Sequence, residues 1–489
     1  MKLSFIAFLL LFTYNLKSQD GTFIKVFSGN SYEEGIKTFR LPNKTYRIVG
    51  NTGTYGWGQK NIWLIALDSI GNFMWHKTYG EGGLDFAQDA QMDSKGNIYI
   101  IGSSTSQSQN SYQMLLIGID TNGNYFTYNY YGGSNWDFGN GIQIVDDSLL
   151  MLAGETYSYT NGQSNAWLIQ TNTHGQQIWS SNVGGDNKES FNAVKKMYNG
   201  DFICAGFTSS FGNNSRNPML YKCNANGDSI WMKHYNDSTD GEFYDLIFNT
   251  DTNIIAVGYQ KDTTNSYQDL SLMNIDTNGQ LIWKRNSLLH HNNANYRAIV
   301  NEGERYIVTG MSEKYSSWGS NIYGSRLENG GWWNSTFIFG STKEDYSNSI
   351  VRDTSNNQLH YLVTGTTRSY GLNFSGAIFI RMDSSFNADT TTSVFIPSTI
   401  FPKKYSPELT IKIFPNPTSD FANILLPNNN SKNPYHLFVY NSIGQLIFEI
   451  TLKKGQKQVK LDVKNWPKSN YYIRLDNHTI KYSSVFIRK

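Results

Sequence analysis

Apolar residues in this chain come in short runs that end on glycine. YRIVG, IYIIG, LLMLAG, FICAG, NIIAVG, RYIVTG and YLVTG close on Gly50, Gly102, Gly154, Gly206, Gly258, Gly310 and Gly365. The first five intervals between these glycines are 52 residues and the last is 55. A second series keeps step: WLIALDSIGNFMW (63–75), WLIQTNTHGQQIW (167–179), MLYKCNANGDSIW (219–231) and SLMNIDTNGQLIW (271–283), with Gly71, Gly123, Gly175, Gly227 and Gly279 again 52 apart. Seven units therefore fill the chain between about residues 30 and 397. Each divides into four strand-length pieces, A to D, which in the second unit are FAQDAQM, NIYIIGSS, QMLLIGID and NYFTYNYY. The C–D turns, DTNG or NANG, have the Asx and glycine chemistry of a short hairpin. They lack the ligand spacing and distal Glu of an EF-hand, so turn chemistry is preferred to calcium binding. Four antiparallel strands per unit at a period near 50 predict an all-β fold, a seven-bladed β-propeller over 20–397.

Trp75, Trp179, Trp231 and Trp283 recur at the start of strand D, where a large ring can wedge between neighbouring blades. Phe23 lies one period before Trp75, so TFIKVFSG (22–29) reads as a strand D without a blade of its own. It is expected to complete the seventh blade and close the ring, removing the exposed edges.

Composition agrees with strands and turns: 15% aromatic, only 16% charged, 43 Gly and 32 Tyr in 489 residues. A formal net charge of +2 without a basic stripe gives no reason to expect a nucleic-acid partner. Lys2, the apolar run Phe5–Phe12 and the small or polar residues up to Gln19 read as a signal peptide over 1–18. That run is too short to span a membrane, and no later segment is apolar enough, so no transmembrane segment is expected in the mature chain. Cys204 and Cys223 flank one hairpin; a disulfide in an exported chain and a pair of buried apolar residues both remain open.

The pattern ALDSIGNFMW resembles the tryptophan-docking repeat of quinoprotein-like propellers, with a turn one residue shorter, and the longer unit with YGG (131–133) resembles secreted bacterial propeller-repeat proteins. That resemblance implies a fold and little about activity. After 397 the period stops. Residues 398–407 read as a proline-punctuated linker, and 408–489 alternate as a small C-terminal β-sandwich. Pro415, Asn416 and Pro417, then Gly444, Pro467, Tyr471 and terminal Lys489 closely resemble the type A C-terminal sorting domain of the type IX secretion system. Phe414 and Ser469 depart from the residues usual there. The resemblance implies the type IX machinery as a partner, crossing of the outer membrane, and release or attachment at the cell surface.

In a propeller the D–A and B–C connections share one face. Here the B–C loops are long and rich in rings and amides, which suit sugar faces and hydroxyls. The candidate ligand-binding residues are Tyr55, Trp57, Tyr112, Tyr157, Tyr159, Tyr267, Tyr315, Trp318 and Tyr370, with Phe211 and Phe374 beside them. Ordinary loops with rings folded onto blade edges are the alternative. The same face should hold Glu33, Asp85, Asp137, Glu189 and the looser counterpart Asp345 at the entrance to strand A. As channel-mouth acids they suit a cation or a basic group; as repeated acids they suit capping of backbone N–H groups. No H-E-x-x-H, G-x-S-x-G or Walker A motif is present, and no cofactor or metal site is identified. The sequence thus favours a binding protein for a glycan or a protein, with a glycan-active hydrolase or lyase and a ligand-free scaffold as alternatives.

Overall fold

The computed structural model describes residues 21–395 and 412–488, apart from short stretches at 57, 108–110, 161, 213–214, 236–239, 251–252, 262–266, 287–292, 315–318, 356–357, 390–392, 427–435, 442–445, 454 and 477–480. The expected signal peptide and linker lie outside the described residues. Nothing but strands and connections is found within them.

Seven antiparallel sheets follow one another along 33–79, 85–131, 137–183, 189–234, 241–286, 294–339 and 345–383. Six have four strands in sequence order. The seventh holds strands A to C of its own unit, and its fourth strand is Phe23–Phe27, antiparallel to Gly376–Asp383 with Phe23 opposite Arg381. A short strand, Ser393–Phe395, then runs parallel to Phe23–Phe27 on its outer edge. Closure by the N-terminal strand is as the repeat predicts; the fifth strand is an addition that no periodicity announced.

Strand B is buried on both faces, which is why it reads as a continuous apolar run rather than an alternating one. Its terminal glycine is required by close approach. A Cβ on Gly102, Gly154 or Gly206 would lie 1.9 Å from a backbone oxygen of strand A. Strand A carries a bulge at the same place in every sheet, for example between Ala87 and Asp89. The extra residue redirects a side chain toward the next sheet. Asn140 Nδ2 donates to Phe191 O at 3.0 Å and Asn192 Nδ2 to Phe243 O at 2.8 Å. Across the seam Asn348 Nδ2 donates to Gly35 O at 2.9 Å, so the first and last sheets are joined as any two neighbours are.

The wedge is visible at several of the interfaces. The Trp75 ring lies against Gly123 of the next sheet, Trp179 against Gly227 and Trp283 against Gly331, and Phe23 occupies the same place against Gly71. These glycines also adopt positive φ (+73° at Gly123), so the turn needs glycine twice over. In the turns before Gly71, Gly123 and Gly227 one Asx side chain accepts two backbone N–H groups, as Asp68 does from Ile70 and Asn72 at 3.0 and 2.8 Å; Glu328 takes that place before Gly331.

Cys204 and Cys223 are buried free thiols. The hairpin pairs Cys204 with Tyr221 and Cys223 with Phe202, not with each other. The register is offset by two residues from the directly opposed pairing that the disulfide reading assumes, which leaves both thiols on one face without facing across the ladder.

The C-terminal residues form two sheets, one of three strands (Lys412–Phe414, Phe421–Leu425, Gln458–Asp462) and one of four (in order Leu446–Thr451, His436–Tyr440, Ser469–Asp476, Lys481–Arg488). They enclose their own core, including Ala422, Ile424, Leu437, Val439, Leu461 and Ile473.

Candidate binding site at the mouth of the ring

The acids at the entrance to strand A do not line an open mouth. Glu33, Asp85, Asp137, Glu189 and Asp345 are all fully buried. Asp137 accepts from Gly133 N at 2.9 Å, from Ser158 Oγ at 2.6 Å and from the Thr156 hydroxyl. Glu189 repeats this with Gly185 N, Thr208 Oγ1 and Ser210 N at 2.8, 2.9 and 3.0 Å. Each carboxylate therefore pins the D–A loop before it to the end of strand B, which is the capping role and excludes the channel-mouth role. Burial pushes the carboxyls of Glu33 and Asp85 above the usual range, partly offset by the hydroxyl and backbone donors around them.

Several predicted rings also turn inward. Tyr55 is buried between Trp63 and His76, 5.1 and 5.0 Å away, and its hydroxyl donates to Ser28 O at 3.0 Å, so it belongs to the core. Tyr370 is half-buried against the apolar core of the seventh sheet. Tyr159 is exposed at one face but lies against Trp167 and donates its hydroxyl to Gly132 O at 2.9 Å. Tyr267, Phe211 and Phe374 are exposed and separate from one another in the ring of sheets. Trp57, Tyr315 and Trp318 lie outside the described residues.

Tyr112 and Tyr157 do come together, with partners from strand A and the D–A loop. Phe86, Tyr112, Trp136, Phe138 and Tyr157 form one chain of ring contacts: Tyr112 lies 5.7 Å from Phe86, 5.1 Å from Phe138 and 6.2 Å from Trp136, and Tyr157 lies 6.2 Å from Trp136. Trp136 is 50% exposed at the centre of this arc. Residues from the second and third sheets are brought together because Asp137 N donates to Tyr112 O at 2.8 Å and Tyr157 N to Trp136 O at 2.8 Å. A signal for the missed rings was present: acids recur at the entrance to strand A, whereas the residue after them is Glu34, Phe86, Phe138 or Ser190. Variation at a fixed place in a repeat marks what architecture does not require.

Charged groups flank the arc. Lys60 Nζ stands 5.4 Å from the centre of Phe86 and 3.7 Å from Glu34. At the other end Glu155 stands near the hydroxyls of Tyr157 and Ser164, and Arg216 pairs with buried Glu242 at 3.3 Å. Burial raises the carboxyls of Glu155 and Glu242 and pushes the Tyr157 hydroxyl up to about 12. Beyond Lys60, between the seventh and first sheets, lies a cavity of about 200 Å³ lined by residues that include Tyr32, Glu34, Tyr346, Glu344 and Arg368. Among the described residues no group of three or more His, Cys, Asp or Glu is placed to hold a metal ion, and no helix is long and apolar enough to cross a membrane.

In the C-terminal domain Asn416 Oδ1 accepts from Ile487 N at 2.9 Å and Thr418 N donates to Ile487 O at 2.8 Å, so the Pro415–Pro417 motif is tied to the last strand. Tyr471 donates to Pro467 O at 2.8 Å. Gly444 and Lys489 lie outside the described residues.

Residues 412–489 match the family of secretion system C-terminal sorting domains. No curated protein matches the sequence. Among solved structures the chain is similar to the β-propeller domain of the Trilobed protease from Pyrococcus furiosus (8% identity, TM-score 0.39, 75% of this chain and 97% of that one). It is also similar to the polysaccharide lyase Uly1 (8%, 0.40, 73% and 90%) and to a subtype N11 neuraminidase-like protein of A/flat-faced bat/Peru/033/2010 (10%, 0.35, 76% and 91%). At these values the likenesses bear on no chemistry. The chain carries a C-terminal sorting domain behind a β-propeller, and that domain directs export through the type IX secretion system to the cell surface or the extracellular space.

Proposed function

We propose that this exported propeller is a binding protein whose ligand, a glycan, seats on the aromatic arc at the mouth of the ring. The observation that carries the reading is the gathering of Phe86, Tyr112, Trp136, Phe138 and Tyr157, with a half-exposed indole at its centre. Rings with hydroxyl or N–H edges cover the apolar faces of sugars and hydrogen-bond their rims. The test is a glycan-array screen followed by titration calorimetry on the full chain. Trp136→Ala is expected to weaken the glycan that binds by roughly tenfold or more, about 1.4 kcal/mol, with the melting temperature unchanged. Undiminished binding by that variant would refute the placement, and capture of proteins but no glycan would refute the ligand class.

A glycan-cleaving enzyme is the second reading, favoured by half-buried Glu155 and buried Glu242, two carboxyls raised by desolvation and sharing Arg216 as a neighbour. Release of shorter products from a bound glycan, lost in Glu155→Gln while binding persists, would establish it.

A further inference from the structure

The mouth also holds the cavity between the seventh and first sheets, and its construction bears on which part of a ligand enters. Its volume, about 200 Å³, corresponds to roughly six or seven water molecules of liquid volume. That is room for one sugar ring and below the size of pockets that enclose larger ligands, about 300 Å³ and upward. One end is sealed by backbone: Glu33 N donates to Ser375 O at 3.4 Å and Ser375 Oγ to Glu33 O at 2.8 Å, sewing the first sheet to the seventh. The Tyr346 ring forms part of the wall, and the guanidinium of Arg297 stands 4.7 Å from its centre. At the rim Tyr32 is 55% exposed, with the Arg368 guanidinium 5.6 Å from its ring centre.

Groups of both signs line the space. Glu34 accepts from Asn51 Nδ2 at 3.1 Å and Asn348 Nδ2 at 3.3 Å, and Lys60 stands 3.7 Å away. Arg368 pairs with Glu344 at 2.5 Å, both well exposed. Carboxylates accept from hydroxyls while ammonium and guanidinium groups donate to hydroxyl and ring oxygens, the complement that vicinal hydroxyls of a neutral sugar require. The two charge pairs largely cancel, so no net charge is demanded of the occupant. Lys60 belongs to this cavity and also caps Phe86, so one side chain links the cavity lining to the near end of the aromatic arc.

We propose that the cavity between the first and seventh sheets is an end subsite: it holds the single terminal residue of a linear glycan by its hydroxyls, while the following residues lie across the arc. This rests on the glycan reading of the mouth. A closed floor and room for one ring admit a chain end and refuse the middle of a chain.

The experiment uses the full chain and linear neutral hexasaccharides from the array, each paired with a version whose non-reducing-end hydroxyls are methylated. An unmodified hexasaccharide is expected to bind at least tenfold more tightly than its methylated partner. Tyr32→Ala and Arg368→Ala should each weaken it at least fivefold and erase that difference, with melting temperatures unchanged. Trp136→Ala should weaken both versions alike. Equal affinity for the two versions, or variants that keep the difference, overturns the end subsite while Trp136 dependence leaves the glycan reading standing. If no hexasaccharide binds at all, both fall.

Discussion

Ring closure by the N-terminal strand can be tested at Phe23. A strand that joins a sheet from outside its own repeat unit would ordinarily be free to fray, so a substitution in it would cost little. Here Phe23 is 8% exposed, lies edge-on to Phe379 at 5.3 Å and Tyr46 at 6.1 Å, and covers Gly71 of the first sheet. It therefore bridges the last sheet and the first. Phe23→Ala removes a ring from a site that cannot collapse without moving two sheets, and such truncations cost about 3–5 kcal/mol. With an unfolding entropy near 2.1 cal/mol/K per residue, a unit of about 375 residues has roughly 0.8 kcal/mol/K, so the expected loss is about 4–6 °C in melting temperature. Differential scanning calorimetry of the full chain measures it, and hydrogen exchange locates it. Exchange should accelerate first in Gly376–Asp383, whose residues pair with Phe23–Phe27. A melting temperature within 1 °C of the parent, with unchanged protection in that strand, would show that the N-terminal strand does not close the ring.

Gly123→Ala meets both positive φ and the Trp75 ring 2.9 Å from the new Cβ, whereas Gly200→Ala has φ +89° but nothing within 4 Å; the first should cost at least about 2 kcal/mol and the second about 1, read from denaturation midpoints. His76 accepts from Trp63 Nε1 at 2.8 Å, and burial holds its imidazole down to about 4. Its folded value lies below the usual one near 6.5, so its contribution is complete above about 6.5 and lost as pH falls toward 4, up to roughly 3 kcal/mol. His76→Asn should remove that part of the acid dependence of the melting temperature; an unchanged slope between pH 6.5 and 4 would refute the assignment. Burial raises the Cys204 thiol well above its usual range and pushes the Cys223 thiol up to about 12, so neither should react with a thiol reagent at pH 8 until the chain is denatured. Rapid labelling of the native chain would contradict the buried, reduced pair.

The period of 52 residues was enough to announce the sheets, the wedge at Trp75, Trp179, Trp231 and Trp283, and the role of Phe23, because those features depend on short stretches that every unit repeats. The C-terminal domain was legible for a related reason: its motif, Pro415 to Pro417, and its closing strand are local patterns. Register was not. Cys204 and Cys223 looked opposed, yet the hairpin sets Cys204 against Tyr221, since loop geometry decides the pairing and an offset of two leaves every side chain on its face. The strand-A acids looked like a functional ring and became clamps because the donors from Gly133, Thr156 and Ser158 come from both sides of Asp137 in sequence and meet only when the loops fold over it. Tyr55 and Tyr157 occupy comparable loops, and only packing sent one into the core and the other to the arc. The cavity at the seam needed the whole ring, for it joins residues 32–34 to residues 344–375, which no local pattern connects and which closure alone brings within a few ångströms.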